Sequence, residues 1–155
     1  MTHNMFNKII FLDFDGVITN CESGYRLNPE KLLLLKQIID ATGCSLVISS
    51  SWRCDDLQTT IDDLLHNADL KKYNGGIVFP YCDRIVGVTK RIHSANAGRG
   101  KEIAKWIKDN NYTGKYVILD DMDEMLEEQK PYFVMTDLWE GLTETDVEKA
   151  IKIFQ

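Results

Sequence analysis

Lys8-Ile9-Ile10-Phe11-Leu12-Asp13-Phe14-Asp15-Gly16-Val17-Ile18 is the stretch on which the fold turns. It is an apolar run of strand length that ends in two carboxylates two residues apart. In an extended chain, residues i and i+2 share a face. Asp13 and Asp15 therefore leave the strand end on one side, and Phe14 points to the other. Gly16 supplies a position where the chain can turn through positive φ. Two like charges about 4 Å apart repel by roughly 4 kcal/mol at an effective dielectric near 20. That repulsion needs a bound cation, or a proton held by one partner.

Outward from this strand, strands and helices alternate. Asn28 and Pro29 open a helix as an N-cap and a first-turn proline. Leu32, Leu35, Ile38 and Ile39 form its apolar face, and Gly43 stops it. Cys44–Ser49 reads as a second strand. Asp55 is placed to cap a helix carrying Leu57, Ile61, Leu64 and Leu65. Ile77-Val78-Phe79 reads as a short third strand before Pro80, and residues 81–98 as an irregular stretch with a hairpin around Gly87. Residues 100–110 form a helix with Ile103, Trp106 and Ile107 inward. Tyr116–Leu119 and Tyr132–Met135 are strands. Thr143-Glu144-Thr145-Asp146 has the form of a capping box before a last helix. The pattern predicts a single α/β domain over 1–155, a doubly wound parallel sheet with helices on both faces.

In such sheets, ligands bind beyond the carboxyl ends of the strands, where the strand order reverses. The chemistry-bearing residues fall there. The first strand ends in Asp13 and Asp15, the second in Ser49, Ser50 and Ser51, and the 116–119 strand in Asp120 and Asp121. Arg99 and Lys101 stand at the start of the helix that feeds that last strand.

Composition sets the limits. The chain has 155 residues, is 44% hydrophobic and 27% charged, and carries a net charge of −6. These are the proportions of an ordinary globular domain. No apolar run approaches a membrane span, and Met1–Met5 lacks the regions of a signal peptide. A cytoplasmic protein with no membrane partner is expected. Cys21, Cys44, Cys54 and Cys82 contain no C-x-x-C pair, so neither a zinc site nor a disulfide framework is expected. The negative charge opposes general nucleic-acid binding. Yet Arg84, Lys90, Arg91, His93, Arg99 and Lys101 fall in a stretch without any acidic residue, which reads as a solvated loop or as a rim that attracts a phosphorylated substrate. His3, His66 and His93 have no partners at ligand spacing.

Four motifs resemble those of the haloacid dehalogenase (HAD) superfamily: Asp13-Phe14-Asp15-Gly16-Val17-Ile18, Leu46-Val47-Ile48-Ser49-Ser50, Arg99-Gly100-Lys101 and Val117-Ile118-Leu119-Asp120-Asp121. Ser50-Ser51-Trp52-Arg53, Arg99-Gly100 with Glu102-Ile103 and Trp106-Ile107, and Gly141-Leu142-Thr143 are similar to the small HAD domain of Swiss Army Knife RNA-repair proteins. The resemblance implies a phosphatase working through an aspartyl-phosphate. Asp13 is then the nucleophile, and Asp15 the acid and base that serves the leaving oxygen and the attacking water. It implies Mg²⁺ held by Asp13, the Asp15 carbonyl, and Asp120 or Asp121. Ser49 or Ser50, with Ser50 favoured by its spacing from Trp52, and Arg99 or Lys101, with Arg99 favoured by the following glycine, would bind the phosphate.

Roughly thirty residues separate the first two motifs, and a helix fills many of them, so no large cap domain is expected. An open site suits a bulky substrate such as an RNA or DNA end or a phosphoprotein. A small-metabolite or nucleotide phosphatase and a non-catalytic binding module are the alternatives. A response-regulator receiver would need a lysine after a late strand, whereas here the basic residues precede the acidic pair. No G-x-x-x-x-G-K-[ST] loop is present, which argues against a kinase.

Overall fold

The computed structural model describes residues 6–95 and 97–155. The expectations for the first five residues, His3 included, lie outside the described residues. Five strands form one all-parallel sheet in the order β3-β2-β1-β4-β5. They are β1 (Lys8–Leu12), β2 (Ser45–Ile48), β3 (Ile85–Val88), β4 (Lys115–Asp120) and β5 (Phe133–Met135). The helices are α1 (Pro29–Thr42), α2 (Leu57–His66), α3 (Ala68–Tyr73), α4 (Arg99–Asp109) and α5 (Glu144–Phe154). This is the expected α/β HAD-like architecture, without a large cap.

Strand alternation sorts the core into two layers. Ile10, Leu12, Leu46, Ile48, Val117 and Leu119 face α1, α2 and α5. Ile9, Phe11, Val47 and Ile118 face α4, where Ile103 and Trp106 meet them. The central strands are buried on both faces, so they read as continuous apolar runs rather than alternating ones.

Local chemistry sets the helix ends. Asn28 accepts from the Glu30 N–H with Pro29 in the first turn, and Gly43 closes α1 at φ 69°. Thr143 and Asp146 exchange the two hydrogen bonds of a capping box at the head of α5. The cap of α2 is Asp56 rather than Asp55, since the Asp56 carboxylate accepts from the Thr59 N–H. The short helix α3 was not expected from the sequence.

The third strand is where the sequence misleads. Ile77-Val78-Phe79 is not a strand; Phe79 is buried against Phe14 instead. β3 is Ile85–Val88, and Gly87 lies inside it rather than at a hairpin turn. A Cβ at Gly87 would stand 2.9 Å from Trp106 Nε1, so the glycine marks a close approach of α4 to the edge of the sheet. The basic stretch is also divided. Arg84 donates to the carbonyls of Gly43 and Cys44 and finishes α1. Arg91 donates to the Ser51 and Arg53 carbonyls. Arg99 turns into the sheet edge. It is not one continuous rim.

Candidate active site

β1 and β4 are neighbours, and the chain leaves them toward opposite edges of the sheet, the reversal of strand order beyond which ligands bind in such folds. Leu12 pairs with Leu119 and Ile48, and the pairing runs on past the strands. The Asp13 N–H donates to the Leu119 carbonyl, the Ser49 N–H to Leu12, and the Thr89 N–H to Ile48. Asp13, Ser49, Thr89 and Asp120 thus stand side by side. By alternation they share the α4 side with Phe11, Val47 and Ile118.

Arg99, the first residue of α4, reaches into this row. Its Nη1 lies 2.8 Å from Asp120 Oδ2 and 3.2 Å from Asp13 Oδ1. Asp13 Oδ1 also accepts from the Phe14 N–H, and Asp120 Oδ1 from the Met122 N–H. Asp121 completes a cluster, since Asp13, Asp120 and Asp121 each offer an oxygen within 4.8 Å of the others. Oxygen donors at this spacing fit a hard divalent cation such as Mg²⁺. Gly16, at φ 78°, carries the chain over the cluster; a Cβ there would meet the Asp121 carboxyl at 2.8 Å. The turn is held by Thr136, whose hydroxyl donates to the Gly16 carbonyl.

The electrostatics follow the packing. Burial raises the Asp13 carboxyl to about 8, with the Asp120 charge adding to the rise and Arg99 opposing it. Burial likewise raises Asp120 to about 6 against the pull of Arg99 and the Met122 N–H. Both carboxyls therefore hold a proton more tightly than a free aspartate does, and a cation bound among them would favour the ionised forms. The same carboxylates raise the Arg99 guanidinium against the cost of its burial.

Asp15 lies apart from the cluster. Its carboxylate accepts from Trp52 Nε1 at 3.1 and 3.2 Å and from the Thr19 hydroxyl at 3.3 Å. Both serines are fully buried. Ser50 Oγ accepts from the Trp52 N–H. Ser49 Oγ, with Thr89 Oγ1, has no hydrogen-bond partner among the described residues. Lys101 is exposed on α4, and Arg99 makes the ion pairs with Asp13 and Asp120.

Several supporting residues carried little signal in sequence. Arg53 is buried and donates to the carbonyls of Thr89, Ser49 and Ser50, and pairs with Glu102 at 3.0 Å. It ties the serine turn to α4. Glu124 accepts from the Arg99 N–H, and Gln129 donates to the Gly100 carbonyl. Arg53 and Glu102 stood in the stretches that carry the family resemblance, whereas for Glu124 and Gln129 the clue was negative: Gly98 gives α4 no side-chain cap, so the donors of its first turn had to be met from elsewhere.

Against known proteins, the sequence model of one family, described as the HAD domain in Swiss Army Knife RNA repair proteins, matches residues 9–147. No curated protein and no solved structure matches the chain.

Proposed function

The chain belongs to the family of HAD domains found in Swiss Army Knife RNA repair proteins, and from that premise we propose that it hydrolyses phosphate monoesters with Mg²⁺ through an aspartyl-phosphate. The observation that carries this reading is the Arg99 guanidinium bridging Asp13 and Asp120 beside Asp121, with Asp15 held separately by Trp52.

The Asp13 carboxylate attacks phosphorus; an O–P bond forms as the P–O bond to the leaving group breaks. The departing ester oxygen takes its proton from the Asp15 carboxyl. Water then attacks the aspartyl-phosphate and gives a proton to Asp15. Phosphate leaves and the Asp13 carboxylate is restored. Arg99 and the Ser49 hydroxyl stabilise the equatorial oxygens as charge shifts. Asp13, Asp120, Asp121 and the Asp15 carbonyl would hold Mg²⁺, which supplies charge neutralisation and polarises the phosphoryl group. With no large cap over the site, a bulky substrate, a nucleic-acid end or a phosphoprotein, can reach it.

The test is phosphate release by the purified protein, with Mg²⁺ and with chelator. The panel holds an aryl phosphate, 3′- and 5′-phosphorylated oligonucleotides, phosphopeptides and free nucleotides. Mg²⁺-dependent release that disappears in Asp13→Asn is the expected result. Release that survives Asp13→Asn would overturn the mechanism. Intact Mg²⁺ binding without release from any substrate would favour a binding module.

A further inference from the structure

A second feature adjoins Asp15 on the side away from the carboxylate cluster. It is a cleft of about 620 Å³ lined by Asp15, Tyr25, Trp52, Asp63, Leu70, Tyr73 and Leu138. Six separate segments build it, Asp15 coming from the turn after β1. Trp52 comes from the turn after β2, Asp63 from α2, Leu70 and Tyr73 from α3, and Leu138 from the loop after β5. Tyr25 comes from a strap between β1 and α1, closed by the Thr19–Leu27 bridge.

The strap is built to present Tyr25. Tyr25 sits at φ 58°, a conformation that is costly for a bulky side chain and needs surrounding support. The support is there: Asn20 accepts from the Tyr25 and Ser23 N–H groups and from Asn28, and donates to the Glu140 carbonyl. The Tyr73 hydroxyl donates to the Tyr25 carbonyl. Trp52 packs between Phe14 and Tyr73, with ring centroids 5.1 and 6.3 Å away. Tyr73 is 44% exposed and Leu138 48%, so apolar and aromatic surface is left open to solvent beside a catalytic carboxyl.

We infer that this cleft holds the base of the nucleotide whose phosphate is removed, stacked on Tyr25, Trp52 and Tyr73, so that the substrate is a phosphorylated nucleic-acid end. The inference rests on the phosphatase reading. Asp15 protonates the leaving oxygen, so the space beside it is where the leaving group lies.

The lining chooses among leaving groups. Its two charged members, Asp15 and Asp63, are acidic, and no cation lines it among the described residues. A phosphodiester would be repelled from its floor, whereas a neutral ring with amino donors meets aromatic walls and an Asp63 carboxylate. Cations stand outside: Arg26 lies 5.3 Å from the Tyr73 ring centre, and Lys71 and Lys72 precede Tyr73 on α3. The volume suits a nucleoside-sized group and far exceeds one phenol ring, which disfavours phosphotyrosine. A phosphoserine peptide would bring backbone groups that aromatic walls cannot pair. A short nucleic-acid end, rather than a long strand tracked along its backbone, agrees with a chain of net charge −6.

The experiment compares short 3′- and 5′-phosphorylated oligonucleotides with counterparts whose terminal nucleotide is abasic. Hydrolysis is read as kcat/KM with the wild-type protein, and binding as Kd with Asp13→Asn. The base-bearing substrate should be favoured about tenfold to a hundredfold in both readouts, the scale of one base–aromatic stack. Tyr73→Ala should bring that ratio toward unity, and Tyr73→Phe, which keeps the stacking face, should restore it. A ratio near unity in the wild type would overturn the cleft's role while leaving the phosphatase intact. Discriminating binding without hydrolysis would overturn the phosphatase while leaving the cleft. A phosphotyrosine peptide preferred over both oligonucleotides would overturn the nucleotide assignment.

Discussion

At the residue scale, Ser49 separates fold stability from chemistry. Its hydroxyl is buried and unpaired among the described residues, a cost that native structures rarely carry without a reason. A phosphoryl oxygen bound beside Asp13 would supply the missing partner. Ser49→Ala removes a hydroxyl that makes no hydrogen bond in the free protein, so denaturant stability should hold or rise slightly. Activity should nevertheless fall by about 100–1,000-fold, the scale of losing one transition-state donor. A matched loss in urea midpoint and kcat would instead mark Ser49 as part of the packing. Ser50 differs: its Oγ accepts from the Trp52 N–H, so its removal disturbs the turn that aims Trp52 at Asp15.

At the scale of elements, two glycines illustrate different physics. Gly43 ends α1 in the left-handed conformation, with open space around its Cβ position. Gly87 has ordinary backbone but no room, because Trp106 of α4 lies against it, packed in turn on Phe11 and Tyr112. Gly87→Ala should therefore destabilise the protein by about 1–3 kcal/mol through overpacking, read from chemical denaturation. It should also blue- or red-shift the Trp106 emission as the indole moves. An unchanged midpoint would show that α4 slides freely on the sheet edge, and Arg99 with it. The first signal, a helix stop, is local and was legible. The second depends on a partner nineteen residues away in sequence, and a lone glycine interrupting the short apolar run Ile85-Val86-Gly87-Val88 reads as a hairpin turn.

At the scale of the whole molecule, the carboxylate cluster couples stability to pH and to metal. Asp13 is raised to about 8 and Asp120 to about 6 from an ordinary 3.8. Between those limits the folded protein holds protons that the unfolded chain has released. Stability without metal must then fall as pH rises from about 4 to about 8, the opposite of a salt-bridged aspartate. Mg²⁺ binds the ionised cluster of the folded state and should raise the thermal midpoint by mass action. That gain should be larger near about pH 8 than near about pH 5. Melting curves with chelator and with Mg²⁺ at both values test this, and an equal Mg²⁺ gain at both would mean that the cluster carries no retained proton.

Taken alone, the sequence determined the α/β class, the parallel sheet, the caps of α1 and α5, and the placement of Asp13, Ser49 and Asp120 at the strand ends. These are written in periodicity and in residues adjacent along the chain: Asn28-Pro29, Thr143 with Asp146, and Asp120 with Asp121; the expected pairing of the Asp13 and Asp15 carboxylates on one face was not met, since Asp15 turns to Trp52 and Thr19. Only the tertiary structure decided that β3 is Ile85–Val88, because a short edge strand containing glycine has weak local signal and is selected by pairing with β2 and packing on Trp106. Only it brought Arg99 between Asp13 and Asp120, left Ser49 without a partner, and aimed Trp52 at Asp15. Those relations join segments distant in sequence, and their energies come from burial and close approach, which no spacing along a single chain encodes.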